Sequence, residues 1–187
     1  MKLTGQHPGL VDDAVAKARE TVNIRTARPS DEAGLAALLR EMEQHYGDDT
    51  PAASAAALAA HLVSSSAGAT HTLVAESGNS TLVGFAICTE YWPADHLTKG
   101  FLLKDLFVSA GARSGGIGRR LLDHVAAHAR KLGCTRVHWT TGARNVRAQR
   151  LYDAIGARRE EKVYYVVEAD LLDEMAQRAN RSEAEGS

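Results

Sequence analysis

The sequence is poor in cysteine and in aromatic residues, with 2 Cys and 5% Phe, Trp and Tyr in 187 residues. Cys88 and Cys134 lie far apart and lack C-x-x-C spacing, so neither a disulfide framework nor a zinc knuckle is signalled. No apolar run reaches the roughly 18 residues that a membrane-spanning helix needs. The start, MKLTGQHPGLVDDAV, has no hydrophobic signal region, so the expected location is the cytoplasm, away from any membrane. An excess of one charge is missing too. The 22 Lys+Arg and 23 Asp+Glu leave a net charge of −1, which argues against a protein that coats nucleic acid.

What is present is a 44% apolar chain rich in alanine, of a length that suits one domain with terminal extensions. Such a chain buries roughly 70% of the surface its unfolded form exposes, enough to fold without a disulfide or a structural metal. The near-neutral sum conceals segregation. Residues 101–160 hold twelve Lys/Arg and four Asp/Glu, a balance of +8, and the remainder carries −9. One segment is thus built to meet an anion.

Periodicity places the elements. Val22 to Arg28 alternates as a strand, and Pro29-Ser30-Asp31-Glu32 opens a helix with Ser30 as N-cap and the stripe Leu35, Leu38, Leu39, Met42. Thr50-Pro51 opens an alanine-rich helix to about Val63. His71–Glu76 and Thr81–Glu90 form a hairpin about Ser77-Gly78-Asn79-Ser80. Phe101–Ser109 is a strand, and a helix to Leu132 follows, closed by Gly133. Arg136–Thr141 is a strand, Asn145–Ile155 a helix closed by Gly156, and Val163–Val167 a last strand. Leu171–Ala179 adds a helix, and the RSEAEGS tail reads as disordered. The order β-α-α-β-β-β-α-β-α-β predicts an α+β fold, a mixed β-sheet flanked by helices, over residues 22–168. Residues 1–21 are then an N-terminal extension with a short helix from Leu10 to Glu20, and 169–187 a C-terminal helix and tail.

The chemistry concentrates in strand 102–110 and loop GARSGGIGRR, 111–120. Gly115, Gly116 and Gly118 allow close backbone approach, and a helix starting there aims free N–H groups and its positive dipole end at a ligand. Arg113, Arg119 and Arg120 add formal charge, and the whole reads as a pyrophosphate cradle. It is neither of two common phosphate loops. No Gly-Lys-Ser/Thr occurs, and Gly116-Ile117-Gly118 is followed two residues later by Leu121 rather than glycine. The bland alternative is a tight β-to-α turn.

Two paired patterns, Arg113-x-x-Gly116-x-Gly118 and Asn145-x-x-Ala148-x-x-x-Tyr152-x-x-x-Gly156, follow one another in the order strand, loop, helix, strand, helix. This order over residues 22–168 resembles the GNAT superfamily of N-acetyltransferases. Within that superfamily, Leu103-Lys104-Asp105-Leu106-Phe107-Val108 and Gly133-Cys134 through Trp139 look like the diamine (spermidine/spermine) acetyltransferases and related bacterial histone-acetyltransferase-like proteins. In the diamine enzymes a glutamate precedes the strand aspartate. Here Lys104 stands in its place.

The resemblance implies acetyl-CoA as cosubstrate, a cationic small-molecule amine as acceptor, a homodimer, direct attack without an acyl-enzyme, and no metal. It implies that Leu106, Phe107 and Val108 pair with pantetheine, an N–H near Val108 polarising the thioester. It also implies that Ser114, Gly115, Gly116, Ile117, Gly118 and Arg119 hold the pyrophosphate beside Arg113, and that Asn145 binds the pantetheine or adenine side. Tyr152 would protonate the departing thiolate, since a phenol ordinarily titrates near ~10 and keeps its proton at neutral pH. The alternative for Tyr152 is packing against the sheet.

An amine attacks only when neutral, so a base is required. Asp105 and Glu90 lead as candidates, followed by His45, His71, His96 and His138. Adjacent strand residues face opposite ways, so Lys104 and Asp105 share a face only across a bulge, and Asp105 can equally be a structural strand residue. His124 and His128, four apart, lack the neighbouring Glu of a metal-protease helix and read as a solvated face. Cys134 reads as a buried thiol, and Tyr91, Trp92 and Pro93 line an amine pocket or cap the hairpin. Glu41, Glu43, Asp48, Asp49, Glu90 and Asp95 make the acceptor side acidic, suited to a cation. Other acceptors in play are a protein lysine or an aminoglycoside, and another class is a non-catalytic CoA sensor. Nucleic-acid binding would need aromatics among the arginines, and 111–136 has none.

Overall fold

In the computed structural model, which describes residues 22–64 and 68–185, the alternation after Val22 becomes β1 (Asn23–Thr26). A 3₁₀ turn, Pro29–Asp31, leads into α1 (Glu32–Tyr46), so Ser30 is not the N-cap. Asp31 holds the N-cap position of α1, and its carboxylate closes the 3₁₀ turn by accepting the Arg28 N–H at 2.7 Å. It also takes both Arg25 Nη groups, at 2.7 and 2.9 Å, while Arg25 Nε reaches Glu76 at 2.9 Å. The guanidinium holds the Asp31 carboxyl below the usual carboxylate range. β1, the turn and the next strand are thereby joined.

α2 (Ala52–Ser64) follows, then β2 (Thr70–Glu76) and β3 (Leu82–Ala94), joined by the expected hairpin with Ser80 at φ 61°. β4 (Thr98–Val108), α3 (Ile117–Lys131) and β5 (Arg136–His138) complete the sheet, whose order is β1-β2-β3-β4-β5. All neighbours are antiparallel except β4 and β5, the pair joined by the α3 crossover. α1 and α2 bury Leu35, Leu38, Leu39, Ala59 and Leu62 on Val74, Phe85, Ile87 and Phe107. α3 buries Leu121, Leu122, Val125 and Ala129 and packs on β2, β3 and β4. Apolar stripes at helical spacing thus cover both faces of the sheet.

β3 is longer than the sequence reading because Tyr91 packs on Gly100 of β4, where a Cβ would fall inside the tyrosine ring. Tyr91 Oη also hydrogen-bonds His138 Nδ1 at 2.8 Å. Gly100→Ala should therefore lower stability by about 1–3 kcal/mol in urea unfolding, and much of that loss should vanish in a Tyr91→Ala background. An equal loss in both backgrounds would mean the ring is not the obstacle.

The chain divides into two compact units at Asn145/Val146. The second holds α4 (Val146–Ala154), ended by Gly156 at φ 78°, and α5 (Ala169–Glu185). Two expectations fail here. Val163–Val167 forms no strand and is exposed, because β-branched and aromatic residues need a neighbouring ladder and none of the described strands pairs with this run. The tail is helical as far as Glu185. The expected extension at 1–21 lies outside the described residues. The α+β class is the one observed.

Candidate active site

β3 and β4 pair Ile87 with Asp105 and then Cys88 with Leu103, so Lys104 is an extra residue on β4. Earlier on the strand, the Phe101 ring lies 5.5 Å from that of His71 and 6.0 Å from that of His128 on α3. Beyond Lys104, Phe107 instead joins the core under α1 and α2, its ring 5.9 Å from Phe85. Two odd-numbered residues of one strand thus face opposite ways, and the bulge is the reason. Asp105, opposite the core residue Ile87, lies on the α1/α2 face.

Burial holds the Asp105 carboxyl above the usual carboxylate range. Lys104 partly offsets this, and the Glu43 carboxylate on α1 adds to it. Glu43 is itself oriented by Thr50, whose hydroxyl donates to it at 2.6 Å.

β5 pairs with β4 only at Gly100–Leu102. From Leu103 to Val108, no described strand covers that edge of β4, so apart from the Val108 carbonyl, which Arg113 holds, its outward backbone groups are open to an extended ligand. The chain then makes a 3₁₀ turn, Ala110–Ala112, and enters α3 through Ser114 at φ 72° and Gly116 at φ 75°. Glycine takes that angle freely. For Ser114 it costs on the order of 1 kcal/mol, and such strain clusters at ligand-binding loops. The first turn of α3 directs the N–H groups of Ile117, Gly118 and Arg119 into this loop, that of Arg120 being held by the Gly116 carbonyl at 3.1 Å.

The three arginines separate in role. Arg113 folds back, with Nε donating to the Val108 carbonyl at 2.9 Å and the guanidinium 5.4 Å from the Phe107 ring centroid. Arg119 pairs with Asp123 at 3.1 Å on the exposed face of α3. Arg120 donates to the Val22 carbonyl at 2.5 Å, tying α3 to the start of β1.

The acidic side is largely engaged within the protein. Glu90 accepts from Lys99 at 2.7 Å and contacts His71 at 2.8 Å, and these partners hold it below the usual carboxylate range. That makes it a poor base. Asp95 pairs with Arg136 and Glu41 with the loop after β4, leaving Asp48 and Asp49 exposed. His128 is not on a solvated face: its Nε2 is 3.2 Å from His71 Nδ1, and burial, His71 and Lys131 keep it from protonating at its ordinary pH. His124 stays exposed, bonded to the Arg120 carbonyl. The Glu41 contact and the His128–His71–Glu90–Lys99 chain are absent from the sequence reading, because their partners are not neighbours in sequence.

Cys134 and Cys88 are buried thiols, raised above the ordinary range by burial, Cys88 to about 12. Among the described residues, no group of three or more His, Cys, Asp or Glu is placed to hold a metal ion. No helix among them is long and apolar enough to cross a membrane. Asn145 immediately precedes α4, and Tyr152 sits within that helix, half-buried.

Residues 35–157 match the model of the acetyltransferase (GNAT) family. The chain belongs to that family. It is an N-acetyltransferase, and GNAT enzymes use acetyl-CoA. A D-amino-acid N-acetyltransferase of Saccharomyces cerevisiae, HPA3, is 27% identical over 146 residues, 78% of this chain and 90% of the yeast protein. An L-ornithine N5-acetyltransferase of Arabidopsis thaliana, NATA1, is 36% identical over 76 residues, 41% of this chain and 33% of the plant protein. Among solved structures, an integron cassette protein from the mobile metagenome of V. cholerae aligns with a TM-score of 0.75 at 31% identity, covering 84% of this chain and 98% of that one. This GNAT chain thus keeps the family fold over most of its length.

Proposed function

We propose that this GNAT enzyme transfers acetyl from acetyl-CoA to the primary amine of a small di- or polyamine, by direct attack. The observation that carries the reading is the uncovered edge of β4 from Leu103 to Val108, which runs straight into the N-terminus of α3. Leu106, Phe107 and Val108 pair with the pantetheine arm, and an N–H near Val108 polarises the thioester carbonyl. A donor aimed at the developing oxyanion contributes about 2.7–4 kcal/mol. Ser114, Gly115, Gly116, Ile117, Gly118 and Arg119 receive the pyrophosphate, with Arg113 alongside and Asn145 at the pantetheine or adenine side. Asp105 takes a proton from the acceptor's ammonium so that the neutral amine attacks, and Tyr152 gives one to the departing thiolate.

Support for a diamine comes from Asp105 beside Glu43, two carboxylates in one region that favour a cation. The similarity to an enzyme named for ornithine, a diamino acid, points the same way. The bulge puts Lys104, which stands in place of the glutamate of the diamine branch, on the same side of the strand as Asp105, where it is exposed to solvent and its charge partly offsets the raised Asp105 carboxyl. We place the enzyme in the cytoplasm as a homodimer, for which the exposed Val163–Val167 run offers apolar surface.

The acceptor reading is tested by following CoA release over diamines, D-amino acids, aminoglycosides and lysine peptides. Aliphatic diamines should give kcat/KM at least about tenfold above the other classes, the preference worth about 1.4 kcal/mol. A D-amino acid or aminoglycoside at the head of the ranking would replace the diamine. CoA binding without turnover on any acceptor would identify a sensor.

A further inference from the structure

We infer that Glu41 is a positioning residue for acetyl-CoA: it fastens helix α1 to the segment that joins the pantetheine strand to the pyrophosphate loop. This rests on the acetyltransferase reading given above. One carboxylate oxygen, Oε1, accepts the Ser109 hydroxyl at 3.1 Å and the Ala110 backbone N–H at 2.8 Å. Both donors sit where β4 ends and the 3₁₀ turn Ala110–Ala112 begins. On the same side of α1, one turn later, the His45 ring lies 6.4 Å from that of Phe107.

Arg113 closes the segment from the other end. Its Nε holds the Val108 carbonyl at 2.9 Å while its guanidinium covers Phe107. Val108 to Ala110 is therefore fixed from two directions, by groups far from it in sequence and near it. Ser109 N adds a third anchor, donating to the Val83 carbonyl at 3.0 Å.

The charge on Glu41 works against the loop's ligand, since a carboxylate at the head of a phosphate site repels phosphate. Its contribution is therefore geometric: it fixes the angle at which β4 hands over to the loop. That distinction gives the variants opposite signs. Glu41→Gln keeps a carbonyl oxygen for both donors and removes the repulsion. Glu41→Ala removes both.

The test is CoA titration by calorimetry on the full chain, with steady-state kinetics alongside. Glu41→Ala should bind CoA about tenfold more weakly, raise KM for acetyl-CoA in parallel, and leave KM for the amine within about twofold. Glu41→Gln should bind CoA at least as tightly as the unaltered protein. Ser109→Ala, which removes one donor, should lose about threefold, and it carries the test together with Glu41→Gln if Glu41→Ala does not fold. CoA binding in Glu41→Ala as tight as, or tighter than, in the unaltered protein would overturn the inference, as would unchanged affinity in Ser109→Ala. Failure of the unaltered protein to bind CoA is a separate result that removes the acetyltransferase reading and this inference together.

Discussion

Replacing Tyr152 with phenylalanine should lower kcat by about 100-fold or more while leaving the affinity for CoA within about twofold. The argument is one of proton balance. When the amine nitrogen attacks the thioester carbon, the tetrahedral intermediate collapses by breaking the C–S bond, and the sulfur leaves as a thiolate unless a proton reaches it. A phenol holds its proton at neutral pH and can supply it. Phenylalanine keeps the ring's shape in α4, where Tyr152 is half-buried, so packing and cosubstrate binding should change little. Turnover and CoA affinity measured together separate the roles. Loss of both would make Tyr152 a packing residue, and unchanged turnover would remove it from the chemistry.

Asp105→Asn should lower kcat/KM by about 100-fold and abolish the acid limb of its pH profile. The carboxyl is active as a base only when ionised, so activity falls as pH drops through its pKa. Burial raises that pKa, with Glu43 contributing, and the limb therefore lies above the ordinary aspartate value of about 4. The stability effect has the opposite sign. A carboxyl whose folded pKa is raised binds its proton more tightly in the folded state, so folding loses stability as pH rises from the unfolded pKa through the folded one. Asparagine removes that loss, and thermal unfolding at neutral pH should shift upward or stay in place. A large fall in melting temperature with full activity would assign Asp105 to structure alone.

The local parts of this fold were readable from the chain. The stripes Leu35–Met42 and Leu121–Ala129, the Ser77–Ser80 hairpin and the stops at Gly133 and Gly156 depend on neighbours in sequence, and the structure has them. The Gly-rich loop leading to α3 was readable for the same reason, since left-handed backbone at Gly116 needs that residue there. What escaped the reading is long-range. Nothing near Lys104 announces the bulge, which arises from the register with Ile87 and Cys88. The tie from Arg120 to the Val22 carbonyl joins residues at opposite ends of the sheet's sequence. Glu90 looked like a free base until Lys99 and His71 claimed both oxygens. Val163–Val167 has strand composition without a described strand to pair with.

The central claim is direct transfer from acetyl-CoA to an amine, without an acetylated enzyme. Both cysteines are buried with raised pKa values, which keeps them as thiols and poor nucleophiles. The deciding measurement is the two-substrate initial-rate pattern with acetyl-CoA and an aliphatic diamine, together with CoA release when no amine is added. Direct attack predicts intersecting double-reciprocal lines and CoA released only in the presence of amine. Parallel lines, with a stoichiometric burst of CoA before any amine is supplied, would contradict it.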